Sequence, residues 1–303
     1  MTANPQNPTR RLLTELANQA RQYAILMRFD KPIGIWLLMW PTLWGLWIAG
    51  EGHPQPRIFL IFVIGVIVMR SAGCVINDFA DRNLDGKVLR TRERPLARGT
   101  VTPAEALALF CALGLIAIAL VLMLDRLTRS LAVIGAILTI LYPFMKRLIA
   151  APQLVLGAAF GWGIPMAFAA QTGEVPRLAW LLWLTTVIWA VIYDTIYAMV
   201  DRADDLKLGI KSTAILFGST DVFIITLLQI ILMLAFWLIG AAAQLGAWYF
   251  SATLFTGLLF FYQFLLIRHR QPDACFRAFL NNNYVGAVIF IGILLDYTFS
   301  TAI

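Results

Sequence analysis

Residues 69–98 read MRSAGCVINDFADRNLDGKVLRTRERPLAR, and residues 193–213 read YDTIYAMVDRADDLKLGIKST. In each, a long apolar run gives way to aspartates: Asp78, Asp81 and Asp85 beside Asn77 in the first, and Asp194, Asp201, Asp204 and Asp205 in the second. The chain has 17 acidic residues, and eight of them lie in these two stretches. Carboxylates are costly beside membrane-length apolar runs, so their concentration there points to function.

The surrounding chain is a membrane protein by composition. Its 303 residues are 60% hydrophobic and 14% charged, with a mean hydropathy of +0.77, whereas soluble domains run at about 25% charged. Continuous apolar runs near 33–50, 58–76, 104–124, 130–146, 152–171, 178–198, 221–240, 244–267 and 284–302 predict nine transmembrane helices. The runs do not alternate, which excludes a β-barrel. The expected fold is all-α, with short helices in the cytoplasmic loops. Residues 1–30 form an N-terminal segment, and 31–303 form one integral-membrane domain. Pro41, Pro143, Pro152 and Pro165 fall in or at the edges of spans, where neighbouring helices can satisfy the freed carbonyls.

Twenty of the 24 Lys and Arg residues fall in the N-terminal segment, at Arg70, or in the loops after spans 2, 4, 6 and 8; the other side has Arg57, Arg126, Arg129 and Arg177. This asymmetry predicts a cytoplasmic N-terminus, cytoplasmic acidic stretches and an outer C-terminus. The net charge of +7 is read as this loop bias, not as a nucleic-acid surface. Residues 1–31 lack the apolar core of a secretory signal. The pattern Leu12, Leu13, Leu16, Ala20, Tyr23 admits an interfacial amphipathic helix or, for residues 1–20, a solvated leader. Cys74, Cys111 and Cys275 have no CxxC spacing, so neither a zinc site nor a disulfide framework is implied. His53 and His269 have no partner in the pattern. Trp36, Trp40, Trp44, Trp47, Trp180, Trp183, Trp237 and Trp248 lie toward span ends and read as interfacial anchors.

At about 100° per residue, Arg70, Asn77 and Asp81 share an arc of roughly 40° on a helix, with Asp85 about 40° further round. Asp194, Asp201 and Asp205 repeat the 7-then-4 spacing, four spans later, which hints at an internal duplication. Carboxylates one turn apart repel one another unless a cation lies between them. Mg²⁺ takes one or two carboxylates and fills its remaining positions with water and phosphate oxygens. Two D-x-x-x-D pairs therefore suit a diphosphate held through metal. Arg90, Lys146, Arg147, Lys207 and Lys211 are placed to grip phosphate oxygens. A diphosphate on an allylic carbon is a good leaving group, and apolar walls hold an isoprenoid tail and exclude water. NDFADRNLDG lacks the spacing and closing Glu of an EF-hand. An ion or lipid transporter would carry its charges near the bilayer midplane instead.

The combination N-D-x-x-D-x-x-x-D (Asn77–Asp85), RTRERPLARG, Y-D-x-x-Y-A-x-x-D (Tyr193–Asp201) and D-L-K-L-G-I-K-S-T (Asp205–Thr213) resembles the UbiA family of intramembrane aromatic prenyltransferases. The stretch MRFDKPIGIWLLMWPTLWGLW is similar to the branch that uses 4-hydroxybenzoate. The resemblance implies nine helices around a central cavity in a bacterial inner membrane. It also implies Mg²⁺-dependent transfer of a polyprenyl group from its diphosphate to 4-hydroxybenzoate, in ubiquinone synthesis, with membrane lipids around it and no obligate protein partner. Another aromatic acceptor is the nearest alternative. By position, Asp81, Asp85, Asp201 and Asp205 match the metal ligands. Asn77 and Asp78 match the motif's opening pair, and Arg90, Lys146 and Arg147 match diphosphate contacts. Arg70, Tyr197 and Asp194 match residues near the acceptor. Asp194 is the candidate to polarise the phenol or take the ring proton, and Arg70, Arg28 or Lys31 the candidate partner of the acceptor's carboxylate. Ala203 is the one departure from the pattern.

Overall fold

Prolines and caps set the helix boundaries in a computed structural model of the chain, which describes residues 8–83, 85–87 and 91–299, with the side chains of 8–11 and Lys87 left out. Helix α1 (Pro8–Leu26) opens on a proline, whose missing N–H costs nothing at the first turn. α2 (Ile33–Ala49) contains Pro41, and the Thr42 hydroxyl donates to the Leu38 carbonyl (2.9 Å) in the turn that the proline disturbs. α3 (Pro56–Asp81) carries the first acidic stretch to its end. α4 (Pro103–Leu122) starts with a capping box: the Thr102 N–H donates to Glu105 (2.7 Å) and the Glu105 N–H donates to the Thr102 hydroxyl (3.2 Å). α5 (Arg126–Leu148) is capped by Asp125, which accepts from the Thr128 N–H (3.0 Å), and it ends on Lys146 and Arg147, where cations complement the helix dipole.

The described residues form two compact units. One is built from the chain up to Pro32 together with Val68–Ile116; the other from Ile33–Ile67 together with the chain from Ala117 onward. In the first, Gln19 and Tyr23 of α1 both donate to Glu105 at the start of α4 (2.8 Å each). Leu12, Leu13 and Leu16 of α1 are exposed. The segment is thus helical over Pro8–Leu26, with these leucines on an exposed face.

The second unit holds the main core. The span expected at 152–171 is one membrane-length segment, Pro152–Thr172, in which α6 (Pro152–Gly161) and α7 (Gly163–Thr172) meet at Trp162; its backbone stays right-handed helical and its indole N–H donates to the Leu131 carbonyl (2.8 Å). α6 lies close against α8 (Arg177–Leu208): a Cβ on Gly157 would stand 2.9 Å from Val187 backbone atoms, and one on Gly161 3.0 Å from Trp183. Glycines four residues apart let helix backbones approach in this way. α8 has 32 residues, well beyond the ~20 that cross a bilayer, so its final turns carry Asp201–Asp205 past the apolar part. α9 (Thr213–Phe217), α10 (Asp221–Ala242), α11 (Ala247–Ile267) and α12 (Pro272–Phe299) complete the chain.

α12 begins twelve residues before the span expected at 284–302. Its polar residues Asn281, Asn282 and Asn283 look like loop in the sequence but have partners on three different helices. Asn281 accepts from Gln263 of α11 (3.0 Å), which itself accepts from Gln229 of α10 (3.0 Å). Asn282 accepts from the Trp189 indole of α8 (3.0 Å), and Asn283 from the Trp40 indole of α2 (2.9 Å). Trp44, expected at an interface, is fully buried; its indole donates to the Gly286 carbonyl (3.1 Å), and its ring packs at a tilt on Trp189 and edge-on to Phe236. Trp36, Trp180, Trp237 and Trp248 are exposed, as anchors would be.

The expected all-helical architecture holds among the described residues. Eight segments are long and apolar enough to cross a membrane, and the shorter apolar α2 corresponds to the first expected span.

Asn282→Leu should cost about 1–3 kcal/mol by leaving the Trp189 N–H unsatisfied, read as a lowered midpoint of thermal unfolding in detergent. Gly286→Ala should cost about 1–3 kcal/mol, because its Cβ would stand 2.3 Å from Trp40; the same melt checks it.

Candidate active site

The first acidic stretch is shaped by where α3 ends. The helix carries Asn77, Asp78 and Asp81 and stops, and Asp85 lies beyond it in a single 3-10 turn, Asp85–Lys87. The shared helical arc expected for Arg70, Asn77 and Asp81 therefore applies, but Asp85 is off the helix. Gly86, a poor helix residue, directly follows it. Asp78, Asp81 and Asp85 are all buried.

Two arginines neutralise part of this charge. Arg28 follows α1 with a left-handed backbone (φ 65°), uncommon for a residue with a Cβ. From there its Nη2 reaches both oxygens of Asp78 (2.7 and 2.6 Å), and its Nη1 reaches the Ile25 carbonyl (3.1 Å). Arg94 bridges Asp78 (2.9 Å) and Asp85 (2.9 Å to Oδ2). The Thr91 hydroxyl donates to the Asp85 carbonyl (2.8 Å) and holds the loop back on itself. Burial raises the Asp85 carboxyl above its ordinary value. Arg94 offsets this in part, while Asp78 and Asp81 push it further up. A carboxylate in that setting gains from added positive charge.

The second stretch is one uninterrupted helix. Asp194, Tyr197, Asp201, Asp204 and Asp205 all lie on α8, which ends at Gly209 in a left-handed conformation (φ 67°). Asp194, Asp201 and Asp205 are half-buried. Tyr197 packs on Phe279 of α12 with ring centroids 4.7 Å apart.

After Gly209 the strap 210–213 ties α8 to the cationic end of α5. The Ile210 N–H donates to the Asp205 carbonyl (3.0 Å), and the Lys211 N–H to the Lys146 carbonyl (3.0 Å). Lys211 Nζ reaches the Leu148 carbonyl (3.1 Å). The Thr213 N–H donates to buried Gln153 (3.0 Å), and its hydroxyl bonds that of Thr195 (2.6 Å). Lys146, Arg147 and Lys211 are thus gathered at one end of the unit. Lys207 pairs instead with Asp204 (3.3 Å) on the exposed side of the helix.

Of the other expected residues, Arg70 and Asn77 are half-buried on α3, and Lys31 is exposed. Arg90 lies outside the described residues. The sequence did not single out Arg94 or the arginine pair around Asp221. Asp221, fully buried, accepts from Arg202, from Arg270 Nε (2.9 Å) and from the Val222 N–H (2.6 Å). Only their proximity to the acidic motifs hinted at them.

Among the described residues no three His, Cys, Asp or Glu side chains gather into a ready-made metal centre. The donors still suit Mg²⁺, which needs only one or two protein carboxylates when phosphate supplies the rest. Buried Asp81 beside the up-shifted Asp85 is such a donor pair.

Residues 38–290 match the model of the UbiA prenyltransferase family. The 4-hydroxybenzoate octaprenyltransferase of Coxiella burnetii (strain RSA 493 / Nine Mile phase I) is 55% identical over 285 residues, covering 94% of this chain and 99% of that one. The enzyme of the same name from Aeromonas salmonicida (strain A449) is 57% identical over 275 residues, covering 91% and 95%. Among solved structures, the apo form of a UbiA homolog from Aeropyrum pernix K1 superposes with a TM-score of 0.78 at 26% identity, covering 87% of this chain and 97% of that one. A UbiA homolog from Archaeoglobus fulgidus bound to GPP and Mg²⁺ shares the fold, with a TM-score of 0.68 at 16% identity and coverage of 91% and 99%. Helical architecture, paired acidic stretches and near full-length identity agree: this chain belongs to the UbiA prenyltransferase family.

Proposed function

We propose that this protein transfers a polyprenyl group from polyprenyl diphosphate to the ring carbon ortho to the hydroxyl of 4-hydroxybenzoate, releasing diphosphate, as a step of ubiquinone synthesis. The observation that carries this reading is the 55–57% identity, over nearly the whole of both chains, to enzymes named for octaprenyl transfer to 4-hydroxybenzoate.

In the reaction the allylic C–O bond breaks and its electron pair leaves with the diphosphate. The ortho carbon of the phenol attacks the resulting allylic cation, a C–C bond forms, and the ring loses a proton. Lys146, Arg147 and Lys211, with Lys207 and Arg90, take the non-bridging phosphate oxygens; the clustering of the first three at one end of α5 supports that role. Asp81, Asp85, Asp201 and Asp205 would hold Mg²⁺, which when bound would supply Lewis-acid stabilisation of the charge on the departing diphosphate. Asn77 and Asp78 belong to the same diphosphate-binding stretch, where Asp78 orders Arg28 and Arg94. Asp194 accepts the ring proton or polarises the phenol, and Tyr197, packed on Phe279, walls the acceptor. Arg70, Arg28 and Lys31 are the candidate partners of the acceptor's carboxylate, and Arg28 also holds Asp78. The apolar helices keep water from the cation. The loop charge asymmetry supports a multi-pass protein of the inner (plasma) membrane with its N-terminus and acidic motifs on the cytoplasmic side.

Incubation with 4-hydroxybenzoate and a polyprenyl diphosphate should yield a product whose mass equals the acceptor plus the prenyl group less one hydrogen, and chelation of divalent metal should abolish it. Asp81→Asn and Asp201→Asn should each lower kcat by about a hundredfold or more while leaving the melting temperature near that of the wild type. Full, metal-independent activity in the double variant would defeat the reading, and a preference for another aromatic acceptor in a panel assay would correct the substrate.

A further inference from the structure

The strap between α8 and α9 carries more polar anchors than so short a connection needs. At its end Ser212 is extended (φ −153°, ψ 159°) and caps α9 by accepting from the Ile215 N–H (3.4 Å). Such a cap leaves other first-turn N–H groups of the helix to find partners of their own. The Thr213 N–H is one of them, and Thr213 is buried away from water. Gln153, at the second position of α6 and itself only 4% exposed, accepts it (3.0 Å). The Thr195 hydroxyl of α8 donates to the Val191 carbonyl (2.5 Å), so the Thr213 hydroxyl is the donor in the 2.6 Å bond between the two threonines. Buried amides and hydroxyls in an apolar bundle are costly unless bonded. Here both are directed at one residue of the strap.

The same strap holds a cation where electrostatics disfavours one. The Lys211 N–H donates to the Lys146 carbonyl (3.0 Å), and Lys211 Nζ to the Leu148 carbonyl (3.1 Å). A third positive charge thus joins the last turn of α5, which already carries Lys146 and Arg147. The dipole of α5 offsets part of this, but like charges gathered at one helix end repel. Lys211 is exposed, and without anchors its segment would swing toward water. Gln153 and Thr195 grip the chain two residues further on and oppose that swing. An ammonium has three donors, so the Leu148 carbonyl does not exhaust it.

We propose that Gln153 is a positioning residue for diphosphate binding: by accepting the Thr213 N–H it fixes the strap that holds Lys211 at the cationic end of α5. The proposal rests on the reading of Lys211 as a diphosphate contact. Gln153 itself touches no phosphate; it acts through Thr213, with the Thr195 hydroxyl as a second tie.

The test is calorimetric titration of inorganic diphosphate, with Mg²⁺ present, into the full-length protein in detergent. Lys211→Met should weaken binding about tenfold, the loss of a charge-assisted hydrogen bond, and Gln153→Met about fivefold. The double variant decides between roles. Because Gln153 acts through Lys211, it should bind within about twofold of Lys211→Met alone, with no multiplication of the two losses. If Gln153→Met does not fold, Thr213→Val takes its place. It keeps the N–H and cuts the tie to Thr195, and it should weaken binding about threefold, again with no further loss on top of Lys211→Met. Losses that multiply overturn the proposal and leave Lys211 as a diphosphate contact. So does binding within about twofold of wild type alongside a lowered melting temperature, the mark of a purely structural Gln153. Unchanged binding in Lys211→Met removes Lys211 from the site and the proposal with it, while prenyl transfer by the wild type, assayed separately, decides the proposed reaction.

Discussion

A carboxylate taken out of water keeps its charge only where positive charge is brought to it, and this chain is arranged around that constraint. Asp78 is closed off by Arg28 and Arg94, and Asp221 by Arg202 and Arg270. Asp85 shares Arg94, yet burial and two neighbouring aspartates push its carboxyl above the ordinary value. These pairs tie chain segments together: Asp78 joins the end of α1 to the loop after α3, and Asp221 joins α8 to the turn after α11.

The apolar helices face a related problem. An indole N–H or a carboxamide between spans has no water to turn to, so each must be matched inside the protein. Trp44 finds the Gly286 carbonyl, Trp162 the Leu131 carbonyl and Trp183 the Ala158 carbonyl. Gln229, Gln263 and Asn281 form a chain of amides across α10, α11 and α12. These bonds fix which face of each helix meets which neighbour, something that dispersion between apolar surfaces leaves loosely determined.

The helical architecture was legible because its signal is long and redundant: a run of twenty apolar residues has few other readings. The acidic motifs were legible as outliers in an oily chain. What escaped depends on tertiary partners. The start of α12 was hidden because Asp273, Arg277 and three asparagines read as loop, although the asparagines are bonded to side chains more than fifteen residues away in sequence. The span at 152–171 was read correctly, but the irregular turn at Trp162 inside it was not evident, because the nearby Pro165 announces only that a helix is disturbed, not where. Trp44 and Trp36 are alike in one sequence and opposite in burial. Arg94 and Asp221 were visible as residues, but nothing local says which carboxylate an arginine will fold back to meet.

The asparagine run on α12 carries one further consequence. Three successive side chains leave a helix at steps of about 100°, so Asn281, Asn282 and Asn283 act as three spokes reaching α11, α8 and α2. Gaining or losing a single residue between these spokes and Gly286 would swing the rod by that same angle and misalign every spoke with the Trp44 seat at once. The middle of α12 therefore tolerates a change of side chain better than a change of length.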